Sequence, residues 1–233
     1  SKDVSEIDNF SPNYIIIATK VYSLPSVTDS LTKLSSTAPI IIAQNGIGNE
    51  DYIVHRSEGK ISANRLYRIV INFNASKESV GDKLIINKKD FRTDGIMSSK
   101  IGSMSYSESS EIDRIRNLFG NELSIESVVD IKQHVIKKTI LNNALNSVCA
   151  VTGQTMTDAM NDVHGSRLLA IAILKEGLHV AEMYNYKFGE DALEKFIKYL
   201  ESGGNHKPSM RIDIENKRLT EIDFQNGGLI KLV

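Results

Sequence analysis

The stretch His134–Gly153, HVIKKTILNNALNSVCAVTG, decides how the rest of the chain reads. Its apolar residues Val135, Ile136, Ile140, Leu141, Ala144, Leu145, Val148 and Cys149 recur at three- and four-residue steps, the period of an amphipathic helix that Thr152-Gly153 stops. Lys138, Asn142 and Asn146 fall at i, i+4 and i+8, so a turn of about 100° per residue aligns one ammonium and two amides in a column. Asn inside a helix costs roughly half a kcal/mol against Ala, because its side chain competes for the backbone. Three of them, Asn142, Asn143 and Asn146, fall within five positions, so helix stability did not select them. A lone K-x-x-x-N is a polar stripe in water. Apolar residues on both sides of this column place it instead along a cleft in an otherwise buried helix. A cationic donor and two amides spaced along a cleft suit a small anion that carries a carbonyl group.

Upstream, residues 1–13 are polar, and Tyr14–Lys20 (YIIIATK) is a β-branched run too short for a buried helix, which reads as a buried parallel strand. Leu24, Val27, Leu31 and Leu34 follow at helical spacing, and PIIIAQNGIG repeats the isoleucine run and leads to Asn45-Gly46. Strand, helix and strand with short connections form the βαβ unit of a doubly wound sheet. Ligands of such sheets bind beyond the carboxyl ends of the strands, where Lys20 and Asn45-Gly46 stand, so both are placed to meet one ligand. On the dipeptide alone, Asn45-Gly46 is an ordinary turn. Residues 64–88 read as two more strands around a turn near Gly81, residues 107–120 as a surface helix stopped by Gly120, and LSIESVVD as extended chain. From about residue 128 the pattern is helical throughout. Residues 166–186 form a second long helix, apolar over much of its circumference and so buried on several sides, with Glu176 reaching the cleft or paired to a nearby helix. EDALEKFIKYLES is a third helix, ended by Gly203-Gly204. The chain therefore divides into a sheet domain over residues 1–127 and a helical domain over 128–233.

Composition narrows the function. At 233 residues with 41% hydrophobic content, the chain can bury a core as one large domain or two small ones. Its 28 basic and 29 acidic residues leave a net charge of −1, with no electrostatic footprint for nucleic acid or an anionic membrane. The single cysteine, Cys149, excludes an intrachain disulfide and lies on the apolar side of the central helix, as a core residue rather than a nucleophile. No apolar run approaches a membrane span and no signal-peptide pattern opens the chain, so a cytoplasmic protein is expected. The five histidines are scattered and form no ligand pair, so no metal site is expected.

Four stretches carry a family resemblance. K-x-x-x-N-x-x-x-N, followed by an apolar stretch and Thr152-Gly153, resembles the first long helix of the C-terminal domain of ketopantoate reductases, also called 2-dehydropantoate 2-reductases. Ser209-Met210, then Glu221 of Thr220-Glu221-Ile222-Asp223 twelve residues after the serine, then Asn226-Gly227, resembles that family's second signature. The strand ends Ala18-Thr19-Lys20 and Gln44-Asn45-Gly46 complete the set in family order, so the resemblance covers nearly all 233 residues. Taken singly, Ser209 is a helix cap and Glu221 a surface ion-pair partner. The resemblance implies an α/β part followed by an all-α part: a partial Rossmann-type doubly wound sheet domain, then a helical C-terminal domain of the 6-phosphogluconate-dehydrogenase-like kind. It implies an NADP-dependent enzyme that reduces 2-dehydropantoate to pantoate with NADPH, a step of pantothenate and coenzyme A biosynthesis. In that reading Lys138 is the proton donor, Asn142 and Asn146 grip the substrate's hydroxyl and carboxylate, and Ser209 adds a hydroxyl donor to the carboxylate. Asn45 lies where the nicotinamide end of the cofactor meets the substrate, and Lys20 and Glu221 contact the cofactor. Glu221 could instead, or also, pair with Lys138.

The sequence departs from the family pattern in one respect. It contains no G-x-G-x-x-G, the turn whose backbone approaches a pyrophosphate at a helix N-terminus; Gly46-Ile47-Gly48 is its only G-x-G. The chain opens at what would be the family's fourth strand or so and stops soon after T-E-I-D, as an internal piece of a longer protein, or its ordered part, would. Two alternatives stay open: a related NAD(P)H-dependent reductase of another 2-oxo acid, and a non-catalytic fragment that binds no cofactor. The expected partner is a small 2-oxo acid, with no nucleic acid and no membrane, and with homodimer formation through the helical domain left open.

Overall fold

The structure, a computed structural model, describes residues 9–72, 98–105, 110–120 and 125–232, and the backbone alone of 74–80 and 83–89. The isoleucine runs become strands Ile15–Ile17 (β1) and Ile40–Ile42 (β2), because β-branched side chains fit a pleated surface covered on both faces. They pair in parallel, Ile15 opposite Ile40, and Leu66–Val70 (β3) continues in parallel with Leu66 opposite Ile40. β2, between its two neighbours, is fully buried, whereas β1 edges the described sheet and leaves Ile16 49% exposed, less buried than its sequence suggests. Leu24–Leu31 (α1), with a proline in its first turn, connects β1 to β2, and Asn49–Arg56 (α2) leads from β2 towards β3.

Beyond β3 the sheet changes direction. Asn74–Val80 (β4) and Lys83–Lys89 (β5) make a separate antiparallel ribbon, so residues 64–88 hold three strands rather than two; Gly81 itself lies outside the described residues. Ser99–Ser103 (β6) then pairs antiparallel to β3, Tyr67 opposite Ser103. Ile125–Ser127 (β7) follows helix Ser110–Leu118 (α3) and lies parallel to β6. The order β1-β2-β3-β6-β7 is thus a mixed sheet. A parallel neighbour requires a crossover, and the described part of the connection from β3 to β6 is a hairpin.

From Ile131 onward the described chain is helical. Helix Ile131–Thr152 (α4) begins three residues before the quoted stretch because the Asp130 carboxylate caps it, accepting the Gln133 N–H at 3.1 Å. It ends at Gly153 in the left-handed conformation. Met156–Asn161 (α5), Ser166–Met183 (α6), Ala192–Glu201 (α7), Ser209–Glu215 (α8) and Ile222–Ile230 (α9) follow. α4 belongs to two cores. Its Ile131 and Val135 pack with Ile42, Leu66 and Val70 against the sheet, while Ile140, Ala144, Leu145 and Cys149 pack with Leu174, Phe196 and Leu200.

α6 differs from the sequence reading. It packs against α4, α5 and α7, and Leu168, Leu169 and Met183, each more than half exposed, point away from them. Glu176 is on the exposed part of this helix and does not reach the cleft. Among the described residues no helix is long and apolar enough to cross a membrane.

The seat of α4 on the sheet depends on Gly102 of β6. A Cβ there would lie 2.7 Å from both Ile131 Cβ and the Val128 carbonyl oxygen, so only a bare backbone admits the start of the helix. Gly102→Ala is expected to lower the free energy of unfolding by about 1–3 kcal/mol, the scale of overpacking a filled core. Denaturant unfolding measures this, and an unchanged midpoint would refute the close fit.

Candidate active site

The chain after β1 and the chain after β2 turn towards one carboxylate. Glu221, in the turn before α9, is 4% exposed. Its Oε1 accepts the Val21 N–H at 3.0 Å, and its Oε2 accepts the side-chain amides of Asn45 and Gln225, each at 3.4 Å. Lys20 Nζ stands 3.8 Å from the same oxygen and makes a closer contact, 2.5 Å, with Asp213 of α8. Asp213 is itself buried and also accepts from Arg218 Nε at 3.0 Å. Glu221 is therefore no surface ion-pair partner. Lys20 and Asn45, foreseen as meeting one ligand at two strand ends, meet the same protein carboxylate.

Gly46 makes this possible. Its φ of +93° is one that side chains disfavour, and a Cβ would fall 2.6 Å from the Phe224 carbonyl oxygen. That oxygen accepts the Ile47 N–H at 3.3 Å, so the β2 end and the start of α9 are joined through backbone as well as side chain.

Lys138 projects from α4 towards β3, where its ammonium donates to the Ile71 carbonyl. It lines a small cleft, with room for about 10 Å³, roughly one water, together with Asn45 and Gln44 from the β2 end, Arg68 from β3, and Thr139 and Asn142 of its own helix. Burial, then the charge of Arg68, bring its pKa down from the ordinary 10.5 to about 8, while Glu221 acts in the opposite direction. An ammonium with that value can give up its proton near neutral pH.

The three asparagines of α4 have different surroundings. Asn142 lines the cleft; Asn143 is buried and donates to the Gln225 carbonyl at 3.3 Å, tying α4 to α9. Asn146 is half-buried outside the cleft lining. Ser209 also stands outside the lining. It is the exposed first residue of α8, with Pro208 in the capping position and no capping bond from either side chain. Of the residues proposed for substrate, Lys138, Asn142 and Asn45 line this one small cleft, and Asn146 and Ser209 are not among its lining.

Sequence reasoning missed Arg68. The residue is 2% exposed, and its guanidinium donates from one terminal nitrogen to Glu50 Oε1 at 2.7 Å, and from the other to the carbonyls of Gln44 at 2.6 Å and Gly46 at 2.9 Å. One signal was present. Strand alternation places position 68 on the face of Leu66 and Val70, both core residues, so an arginine there is a charge where a hydrophobe belongs. Asp213 was equally hidden, because nothing local marks a helical aspartate as the partner of a lysine 193 residues away.

Comparison with known proteins agrees with this architecture. Family models described as "Ketopantoate reductase PanE/ApbA" and "Ketopantoate reductase PanE/ApbA C terminal" match residues 2–94 and 130–232. The chain belongs to the ketopantoate reductase family. A 2-dehydropantoate 2-reductase of Pyrococcus horikoshii is 27% identical over 235 residues, covering 99% of this chain and 72% of its own length. That of Streptococcus pyogenes serotype M1 is 24% identical over 220 residues, with 92% and 67% covered. In fold, the chain resembles a 2-dehydropantoate 2-reductase from Geobacter metallireducens, with a TM-score of 0.80 at 18% identity over 97% of this chain and 72% of that one. It also resembles a D-mandelate dehydrogenase solved with NADH, with a TM-score of 0.77 at 22% identity over 95% and 72%.

Because the Arg68–Glu50 pair is buried at both ends, Glu50→Ala leaves a guanidinium without its counter-charge. The expected loss of stability is about 3–5 kcal/mol by denaturant unfolding. A loss no larger than that of Asp29→Ala, which breaks an exposed pair with Arg56, would contradict the burial.

Proposed function

We propose that the protein reduces the ketone of 2-dehydropantoate to the alcohol of pantoate, with NADPH as the reductant. What supports this most is a desolvated ammonium, Lys138, in one cleft with Asn142 and with the strand-end residue Asn45. The family membership places the reading among oxidoreductases, and the division into a cofactor-binding part over residues 1–127 and a substrate-binding part over 128–233 belongs to the same proposal.

The residues present fit the nicotinamide end of a dinucleotide. β1 and β2 are adjacent parallel strands whose carboxyl ends carry donors, the Lys20 ammonium and the Asn45 amide, beside an acceptor, Glu221. Gln44 Oε1, buried next to Asn45 without a protein partner, is a further acceptor for an amide or hydroxyl donor. Lys20, Asn45 and Glu221 would hold that end of the cofactor, which when bound supplies the hydride. The sequence has no G-x-G-x-x-G for the pyrophosphate.

Lys138 would polarise the ketone oxygen and give it the proton, neutralising the alkoxide as it develops. Asn142, one turn further along α4, can donate to and accept from the substrate's hydroxyl. For Asn146 and Ser209 a contact with the carboxylate rests on the family resemblance alone, as does the preference for NADPH over NADH. A second reading, reduction of another 2-oxo acid, is favoured by the lining itself, because Lys138 and Asn142 would meet groups common to many such acids. A panel of 2-oxo acids assayed with NADPH and NADH separates the two. Absence of turnover on all of them would support the non-catalytic alternative.

The ammonium form of Lys138 is the donor, and its pKa lies below the ordinary lysine value. Turnover in the direction of reduction should therefore hold below pH 8 and fall as pH rises through about 8, while alcohol oxidation, which needs the neutral amine, should rise through the same midpoint. Lys138→Ala should lower kcat by about 10²-fold or more with little change in cofactor affinity. Equal loss of both, or a rate of reduction level to high pH, would remove the lysine from this role.

A further inference from the structure

The Arg68–Glu50 pair has no evident reason in stability. Taking two charges out of water costs several kcal/mol per ion, and a buried pair of this kind is often replaceable by apolar residues at no loss. Here both partners are nearly inaccessible, and Arg68 Nε is buried without any hydrogen-bond partner. What the guanidinium does contact is specific. Its second terminal nitrogen bonds the carbonyls of Gln44 and Gly46, the two residues that flank Asn45. The Asn45 carbonyl is held in turn by Asn49 Nδ2 at 3.1 Å, which leaves its side-chain amide directed to Glu221. Arg68 also lines the cleft that Lys138 lines.

We propose that Arg68 is a positioning residue of the reductase site, fixing the backbone on both sides of Asn45 and presenting a positive charge to the cleft that holds Lys138. This rests on the reductase reading above. The charged groups acting on Lys138 are Arg68 from β3 and Glu221 from the turn before α9, with opposite effects, and Glu50 from α2 is paired to Arg68. Removing the arginine leaves Glu221 unopposed and raises the proton affinity of Lys138. A donor that holds its proton more tightly transfers it less readily near neutral pH. The fork geometry matters separately, because an ammonium cannot bridge two carbonyls and a carboxylate as a planar guanidinium does.

The test compares Arg68→Lys and the double variant Arg68→Met/Glu50→Met, which removes both buried charges together, with the wild-type protein as encoded. Folding is checked by circular dichroism, and kcat and KM for 2-dehydropantoate are measured across pH. The double variant is expected to move the alkaline midpoint of kcat upward, because Arg68 is the charge that lowers Lys138 whereas Glu50 is not among the groups acting on it, and to raise KM. Arg68→Lys keeps the charge and loses the fork, so it should restore the midpoint towards the wild-type value while KM stays raised. A purely structural role would leave the midpoint where it was. Should the double variant not fold, a wild-type KM in Arg68→Lys overturns the proposal by itself. Turnover by the wild type together with an unmoved midpoint and KM in the folded variants overturns the role of Arg68 alone. No turnover by the wild type overturns the reductase reading and this role with it.

Discussion

A buried carboxylate needs donors, and Glu221 draws its donors from three separate parts of the chain. Val21 follows β1, Asn45 follows β2, and Gln225 lies in α9; the first two are 200 and 176 residues away in sequence. Withdrawing an ionised carboxylate from water is costly unless several hydrogen bonds replace its solvation, so these groups hold their places together. Asp213 repeats the device one helix earlier by taking Lys20. The ends of the two parallel strands are thereby fastened to the α8–α9 segment. α4 completes the frame, since its first turns sit in the core of the sheet and the rest in the core of the helices. Lys138 lies where those two cores meet, held by packing along its whole helix rather than by a loop.

Charge at this junction differs from charge over the whole chain. Lys20, Arg68, Lys138 and Arg218 gather around Glu50, Asp213 and Glu221, an excess of one positive charge in a chain whose net charge is −1. In the proposed reaction, such a local positive excess beside low-dielectric walls would favour the anionic 2-oxo acid. One lysine can be destabilised as an ammonium although a carboxylate acts on it, because burial and Arg68 outweigh Glu221.

Local pattern made part of this readable. The isoleucine runs gave β1 and β2 because continuous β-branched residues have few alternatives, and the period of α4 identified its length and its polar column. The antiparallel return of β6 was not readable, since strand direction is set by the connection rather than by the strand. α2 was missed, and within the stretch read only as helical α5 and α9 were not delimited; α9 carries Asn226, Gly227 and Gly228, poor helix formers whose place is fixed by contacts with α4 and the β2 end. At the site, the nearness of Lys138 and Asn142 followed from a helical column, whereas that of Asn45 to them was implied only by the family resemblance. Arg68, Glu50 and Asp213 did not follow, because whether a charge is buried depends on partners that sequence spacing does not reveal.

A crystal structure of the intact protein with NADPH and 2-dehydropantoate bound is the most direct test of the junction as a reductase site. The ketone oxygen is expected within about 3 Å of Lys138 Nζ, hydrogen-bond reach for a proton donor, with Asn142 and Asn45 facing the same molecule. A substrate seated away from Lys138, or a Lys138 side chain turned into solvent, would contradict it.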